Sequence, residues 1–164
     1  MNQIKNMTQA AQLLSVLLRK KGLLLVTAES CTGGLIGSVC TELPGSSAWF
    51  YGGVISYANE AKIQGLDVKP ETLSSFGAVS EQAVKEMCAG ALQLGGSLSV
   101  AVSGVAGPEG GSLEKLVGCV YIGWQLIGEE AKVVRHQFSG DRQAVREAAV
   151  LAALEGAREI LEKS

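Results

Sequence analysis

The stretch from Leu23 to Gly34 constrains the fold more than any other part of the chain. Leu23-Leu24-Leu25-Val26 is a short continuous apolar run, the pattern of a strand covered on both faces. It runs straight into Thr27-Ala28-Glu29-Ser30-Cys31-Thr32-Gly33-Gly34, after which Leu35, Ile36, Val39 and Cys40 suggest a helix. Strand, polar glycine turn and helix make up the local plan of a phosphate-binding or nucleophile loop. In an open α/β sheet such a loop lies at the carboxyl edge, where ligands bind.

The remaining chain repeats this alternation. Residues 8–21 read as a helix capped by Thr8, with Leu13, Leu14, Leu17 and Leu18 at helical spacing and Gly22 as the stop. Residues 49–57 read as a second strand, in which Gly52-Gly53 marks a bulge or a close backbone approach. Short helices are expected near residues 59–64 and after Pro70, and Ser80 caps a longer one over 81–94, closed by Gly95-Gly96. A third strand over 98–102 enters the loop 103–112. Strands over 119–127 and 132–138 form a hairpin turning at Gly128-Glu129, and Asp141 caps a last helix reaching about Glu162. The pattern predicts an α/β sandwich around a mixed sheet, in one domain spanning 1–164 with no repeat or internal linker.

Bulk composition excludes several classes of function. The net charge is −2 and charged residues make up 18% of the chain, so no global field steers the molecule onto nucleic acid or an anionic membrane. Any phosphate must be held by a local site. No apolar run approaches the roughly 20 residues of a membrane span, and the N-terminal segment has no secretory core. A cytoplasmic protein is expected, with a homodimer suited to a small apolar domain. Cys31, Cys40, Cys88 and Cys119 have no CxxC spacing, so they read as reduced thiols, with neither a disulfide framework nor a metal site.

The residues able to do chemistry cluster in the glycine-rich loops. Ser30 stands at a strand end, where it is displayed as a nucleophile, and Gly33 and Gly34 allow an anion to approach the backbone and the helix end. The same segment also fits a plain helix start, with Ser30 or Thr32 as the cap. A serine nucleophile needs a base. His136 is the only histidine, but it sits mid-strand in step with Val134 and Phe138, as a packed or edge residue does, and a Ser-His-Asp arrangement has little support. The alternative is a lysine made neutral by burial, for which Lys62 is the candidate; taken singly, it also fits a solvated surface lysine. The loop 103–112 follows its strand as the Ser30 loop follows its own, so in a parallel pair the two would meet. It contains no GxxxxGK[ST]. Arg142 and Arg146, opening the last helix, suit either a phosphate or pairing with Asp141, Glu147 or solvent.

Four segments in this order resemble the CinA C-terminal domain family: residues 28–34 (AESCTGG), 57–62 (YANEAK), 103–111 (SGVAGPEGG) and 140–142 (GDR). The resemblance extends from about Leu13 to Glu162 and implies a three-layer α/β/α fold with a mixed, largely parallel sheet of about five strands. Stand-alone members are similar to nicotinamide-nucleotide amidases. The resemblance therefore implies hydrolysis of nicotinamide mononucleotide to nicotinic acid mononucleotide and ammonia, without metal or cofactor. It implies Ser30 as nucleophile, Lys62 as base and Tyr57 as assistant. Ser103, Gly104 and Gly107 would line the centre, while Thr32, Gly33, Gly34 and Arg142 would hold the substrate and its phosphate. Ala58 departs from the serine more usual there, Ser103 from a threonine, and Ser112-Leu113-Glu114-Lys115-Leu116 lacks the prolines often found in that loop. Two other functions fit the same residues: an amidase or esterase acting on another phosphorylated substrate, or a non-catalytic nucleotide-sensing or partner-binding module of the kind linked to competence and DNA damage responses.

Overall fold

The computed structural model describes residues 2–164, with side chains from Lys5 onward. Five strands form one sheet in the order β2-β1-β3-β4-β5, where β1 is Leu25–Glu29, β2 Phe50–Ile55, β3 Leu98–Gly104, β4 Cys119–Leu126 and β5 Lys132–Gln137. β1 pairs parallel with both β2 and β3, while β3–β4 and β4–β5 are antiparallel. Only β4 therefore runs against the others. The sheet is largely parallel in strand direction although its pairings divide evenly.

The helices are α1 (Asn2–Lys21), α2 (Leu35–Thr41), α3 (Asn59–Leu66), α4 (Pro70–Phe76), α5 (Glu81–Leu94) and α6 (Arg142–Lys163), with a 3₁₀ turn at Ser46–Ala48. α1 and α6 pack together with α2 on one face of the sheet, and α5 with α3 and α4 on the other. Two apolar cores follow from the alternation of strand side chains. Leu98, Val100 and Val102 of β3 join Leu14, Leu18, Ala149, Val150 and Leu154, whereas Ala101 joins Leu66, Val84, Met87 and Cys88. β1 is buried throughout, as its unbroken apolar run requires.

Two local expectations need amendment, and one element is additional. α1 begins at Asn2, so Thr8 lies within the helix rather than capping it. The first strand starts at Leu25 and continues through Thr27, Ala28 and Glu29, because pairing on both sides carries it past its apolar residues. The 3₁₀ turn has no counterpart in the sequence reading. Elsewhere the punctuation holds. Ser80 Oγ accepts from Ala83 N at 3.1 Å and Asp141 Oδ1 from Ala144 N at 2.9 Å. The β1–β2 register slips by one residue at Tyr51, beside Gly52. All four cysteines are free and buried. Among the described residues no helix is long and apolar enough to cross a membrane.

Candidate active site

Strand register assembles the site. Glu29 of β1 lies opposite Ile55 of β2 and Val102 of β3, so the next residues, Ser30, Ser56 and Ser103, emerge together at the carboxyl edge. Two backbone hydrogen bonds fix them there: Ser30 N donates to Val102 O at 3.0 Å, and Ser56 N to Glu29 O at 2.7 Å. The β3 loop thus meets the β1 loop, as parallel pairing demands.

Lys62 rises from α3 into this edge and is only 1% exposed. Its Nζ lies 2.7 Å from Ser56 O, 3.1 Å from Tyr57 O and 2.9 Å from Ser30 Oγ. Burial pulls its pKa below the ordinary lysine value of 10.5. The partner set is well matched to a neutral amine, which has two N–H donors and one lone pair. Two carbonyls can only accept, so they take both donors. Ser30 is the one partner whose oxygen can either accept from Lys62 or donate to it, so when the amine is neutral the serine hydroxyl is the only group in reach that can supply a proton to its lone pair. After proton transfer the ammonium has three donors for the same three oxygens. The same three oxygens thus accommodate both protonation states of the amine without side-chain movement.

A cleft of about 270 Å³ opens beside this pair, lined by Ser30, Tyr57, Lys62, Ser103, Gly104, Gly107 and Arg142 among others. Arg142 spans it, donating to Gly107 O at 2.7 Å and to Tyr57 Oη at 3.0 Å. Tyr57 contributes its carbonyl to Lys62 and its hydroxyl to Arg142, and its side chain is half exposed at the rim. Cys31 also lines the cleft, but burial raises its thiol to about 11. It is a protonated thiol near neutral pH.

Thr32, Gly33 and Gly34 do not line this cleft. Gly33 (φ 58°) and Gly34 (φ 96°) adopt left-handed conformations, which only glycine takes without strain, and they turn the chain sharply into α2. The start of that helix is occupied from within. The buried Glu29 carboxylate accepts from Ile36 N at 2.9 Å and Gly37 N at 3.0 Å, and from the hydroxyls of Thr32 at 2.8 Å and Thr27 at 3.2 Å. The protein's own carboxylate thus sits at the start of α2, and the Thr32 hydroxyl donates to it. Among the motif residues, Lys62 and Arg142 are the basic side chains lining the cleft. His136 stacks on Phe138 at 5.0 Å on the edge strand β5, away from Ser30.

A model of the CinA C-terminal domain matches residues 7–161. The chain belongs to that family. It is 49% identical over 148 residues to a protein of Enterobacter agglomerans named nicotinamide-nucleotide amidohydrolase PncC, covering 88% of this chain and 89% of that one. The protein of the same name from Escherichia coli K12 is 48% identical over 139 residues, 84% of each chain. A putative competence-damage inducible protein of Halothermothrix orenii is 50% identical over 131 residues, but these make up 32% of that longer protein. In three dimensions the chain matches the crystal structure of a CinA-superfamily protein from Klebsiella pneumoniae with a TM-score of 0.93 and 36% identity, over 96% of this chain and 99% of that one.

Within this CinA domain, several cleft and support residues escaped the sequence reading. Ser56 supplies its carbonyl to Lys62, and Asn59, Ala78, Val79 and Glu109 line the cleft. A main-chain acceptor leaves no trace in residue type, so Ser56 had no signal to find. Glu29 stood inside the most informative motif, but its role depends on N–H groups seven and eight residues ahead.

Proposed function

We propose that this CinA-family chain hydrolyses the carboxamide of nicotinamide mononucleotide to nicotinic acid mononucleotide and ammonia. The observation that carries the reading is the 2.9 Å approach of Lys62 Nζ to Ser30 Oγ, with the two other contacts of the amine made to carbonyls, which take both N–H donors of its neutral form. Similarity to the PncC amidohydrolases supplies the substrate class. Ser30 passes its proton to Lys62 while Oγ attacks the carboxamide carbon, giving a tetrahedral oxyanion. When the C–N bond breaks, the Lys62 ammonium returns that proton to the nitrogen, which leaves as ammonia. Water, deprotonated by Lys62, then attacks the ester. The acid departs and Ser30 recovers its proton.

Arg142 is the phosphate ligand in this reading. A guanidinium has five N–H donors, and the two contacts it makes here leave others for an anion at the cleft. A charge-assisted contact of this kind contributes about 1.5–3 kcal/mol, so nicotinamide mononucleotide should exceed nicotinamide riboside at least tenfold in kcat/KM. The test follows ammonia and the acid product from the mononucleotide, the riboside and nicotinamide. Arg142→Ala should weaken the mononucleotide selectively. Equal use of the riboside would remove Arg142 from phosphate binding, and no product from any of the three would favour a binding module.

A further inference from the structure

Arg142 and Arg146 stand one turn apart on α6, and the structure separates their roles. Arg142 faces the cleft. Arg146 reaches the nucleophile turn instead, donating from Nε to Cys31 O at 3.1 Å and from NH2 to Thr32 O at 2.9 Å. One planar fork thus holds two consecutive carbonyls immediately after Ser30. We propose that Arg146 is a positioning residue for the nucleophile, locking the turn that presents Ser30 to Lys62.

Three observations carry this inference. First, the contact bridges 115 residues of sequence and joins α6 to the β1–α2 turn, so it ties Ser30 to a long, well-packed helix. Second, the guanidinium has no carboxylate partner: the ion pairs among the described residues are Lys85–Glu81 and Arg158–Glu162. A half-buried cation held by main-chain carbonyls keeps its charge unneutralised at the turn. Burial pushes the Cys31 thiol, next to Ser30, up, and the Arg146 charge offsets part of that rise. Third, the peptide unit is rigid and planar. A carbonyl pinned toward Arg146 therefore turns the N–H of the same peptide the other way, and the fork sets the direction of the Cys31–Thr32 and Thr32–Gly33 peptides together. Glu29 holds the Thr32 side chain from the other side, so the turn is gripped through both main chain and side chain.

The inference rests on the serine–lysine reading of the site, and its test is chosen to be independent of the substrate. A fluorophosphonate probe modifies an activated serine whatever amide is the natural substrate, so its rate reports the presentation of Ser30 directly. Folded Arg146→Met, checked by circular dichroism and thermal unfolding, should be labelled at Ser30 about tenfold or more slowly than wild type, the scale set by loss of alignment. On nicotinamide mononucleotide its kcat should fall in parallel while KM stays within about threefold, because Arg146 touches the turn and not the cleft. Arg146→Lys keeps the charge but loses the fork; it should fold if the methionine variant does not, and it should also label several-fold more slowly. Labelling and kcat within about twofold of wild type in either folded variant would overturn the proposal. Labelling that depends on Arg146 in a protein releasing no ammonia from the mononucleotide would uphold it and reject the substrate instead.

Discussion

Lys62 shows how far a single residue can depart from its type. In composition it is an ordinary lysine, and α3 carries almost no amphipathic pattern to betray an inward side chain; the structure buries it against two carbonyls and a hydroxyl. The rate should therefore depend on pH with a definite sign. Below the lowered pKa of Lys62 the amine is protonated and cannot accept the Ser30 proton, so kcat/KM should rise with pH and level off once the neutral form dominates, below the ordinary lysine range. Lys62→Arg stays charged throughout that range and should turn over at least about a hundredfold more slowly, consistent with loss of general base catalysis. A pH–rate profile of both proteins checks this, and near-normal turnover by the variant would place the base elsewhere. The neighbouring thiol provides the contrast. Cys31 is held protonated, with a pKa of about 11, and is not among the hydrogen-bond partners of Lys62. Cys31→Ala should keep most of its activity in the ammonia assay, and Ser30→Ala almost none. Ser30 and Lys62 were legible only through the ordered set of motifs, because neither residue type announces its burial or its partner.

At the scale of elements, the distance over which a residue acts decided what could be read. Ser80 and Asp141 cap their helices three residues ahead, a local rule visible in the sequence. The strand–turn–helix plan around Ser30 was equally local. Glu29 obeys no such rule, since it satisfies α2 from the preceding strand through N–H groups at positions 36 and 37. The same difference in range separates the expected costs of mutation. Asp141→Ala removes one exposed cap and should cost about 1 kcal/mol. Glu29→Gln should cost more, about 1.5–3 kcal/mol. All four groups on the carboxylate donate to it in the structure, and an amide nitrogen cannot replace an accepting oxygen for the buried main-chain N–H groups. Urea unfolding of the two variants against wild type measures both. A Glu29→Gln protein as stable as Asp141→Ala would show that the carboxylate is not needed for α2.

Across the whole molecule, the position of Lys62 depends on a contact that does not touch the site. α3 packs on α5, and Gly90 in the middle of α5 meets the carbonyl end of α3 so closely that a Cβ at Gly90 would overlap Leu66 O. Residues 81–94 have the pattern of a regular helix that gives this glycine no special meaning, because helical periodicity describes one helix and not the distance to its neighbour. Gly90→Ala sets two effects against each other. Alanine improves helix propensity by about 1 kcal/mol, whereas overpacking a tight interface costs about 1–3 kcal/mol. The steric term wins here, since the obstacle is main chain and cannot swing aside. Relief must come from α3 moving away, and α3 carries Lys62. A shift of even an ångström at a catalytic pair can lower the rate about a hundredfold, so activity should fall well before the fold is lost. Ala89→Gly, at an exposed position on the same helix, is the control: it should lose about 1 kcal/mol through propensity alone and keep its turnover. Measuring ammonia release beside thermal stability for the two variants separates the effects. Equal activity at equal stability would mean that α5 does not set the distance between Lys62 and Ser30.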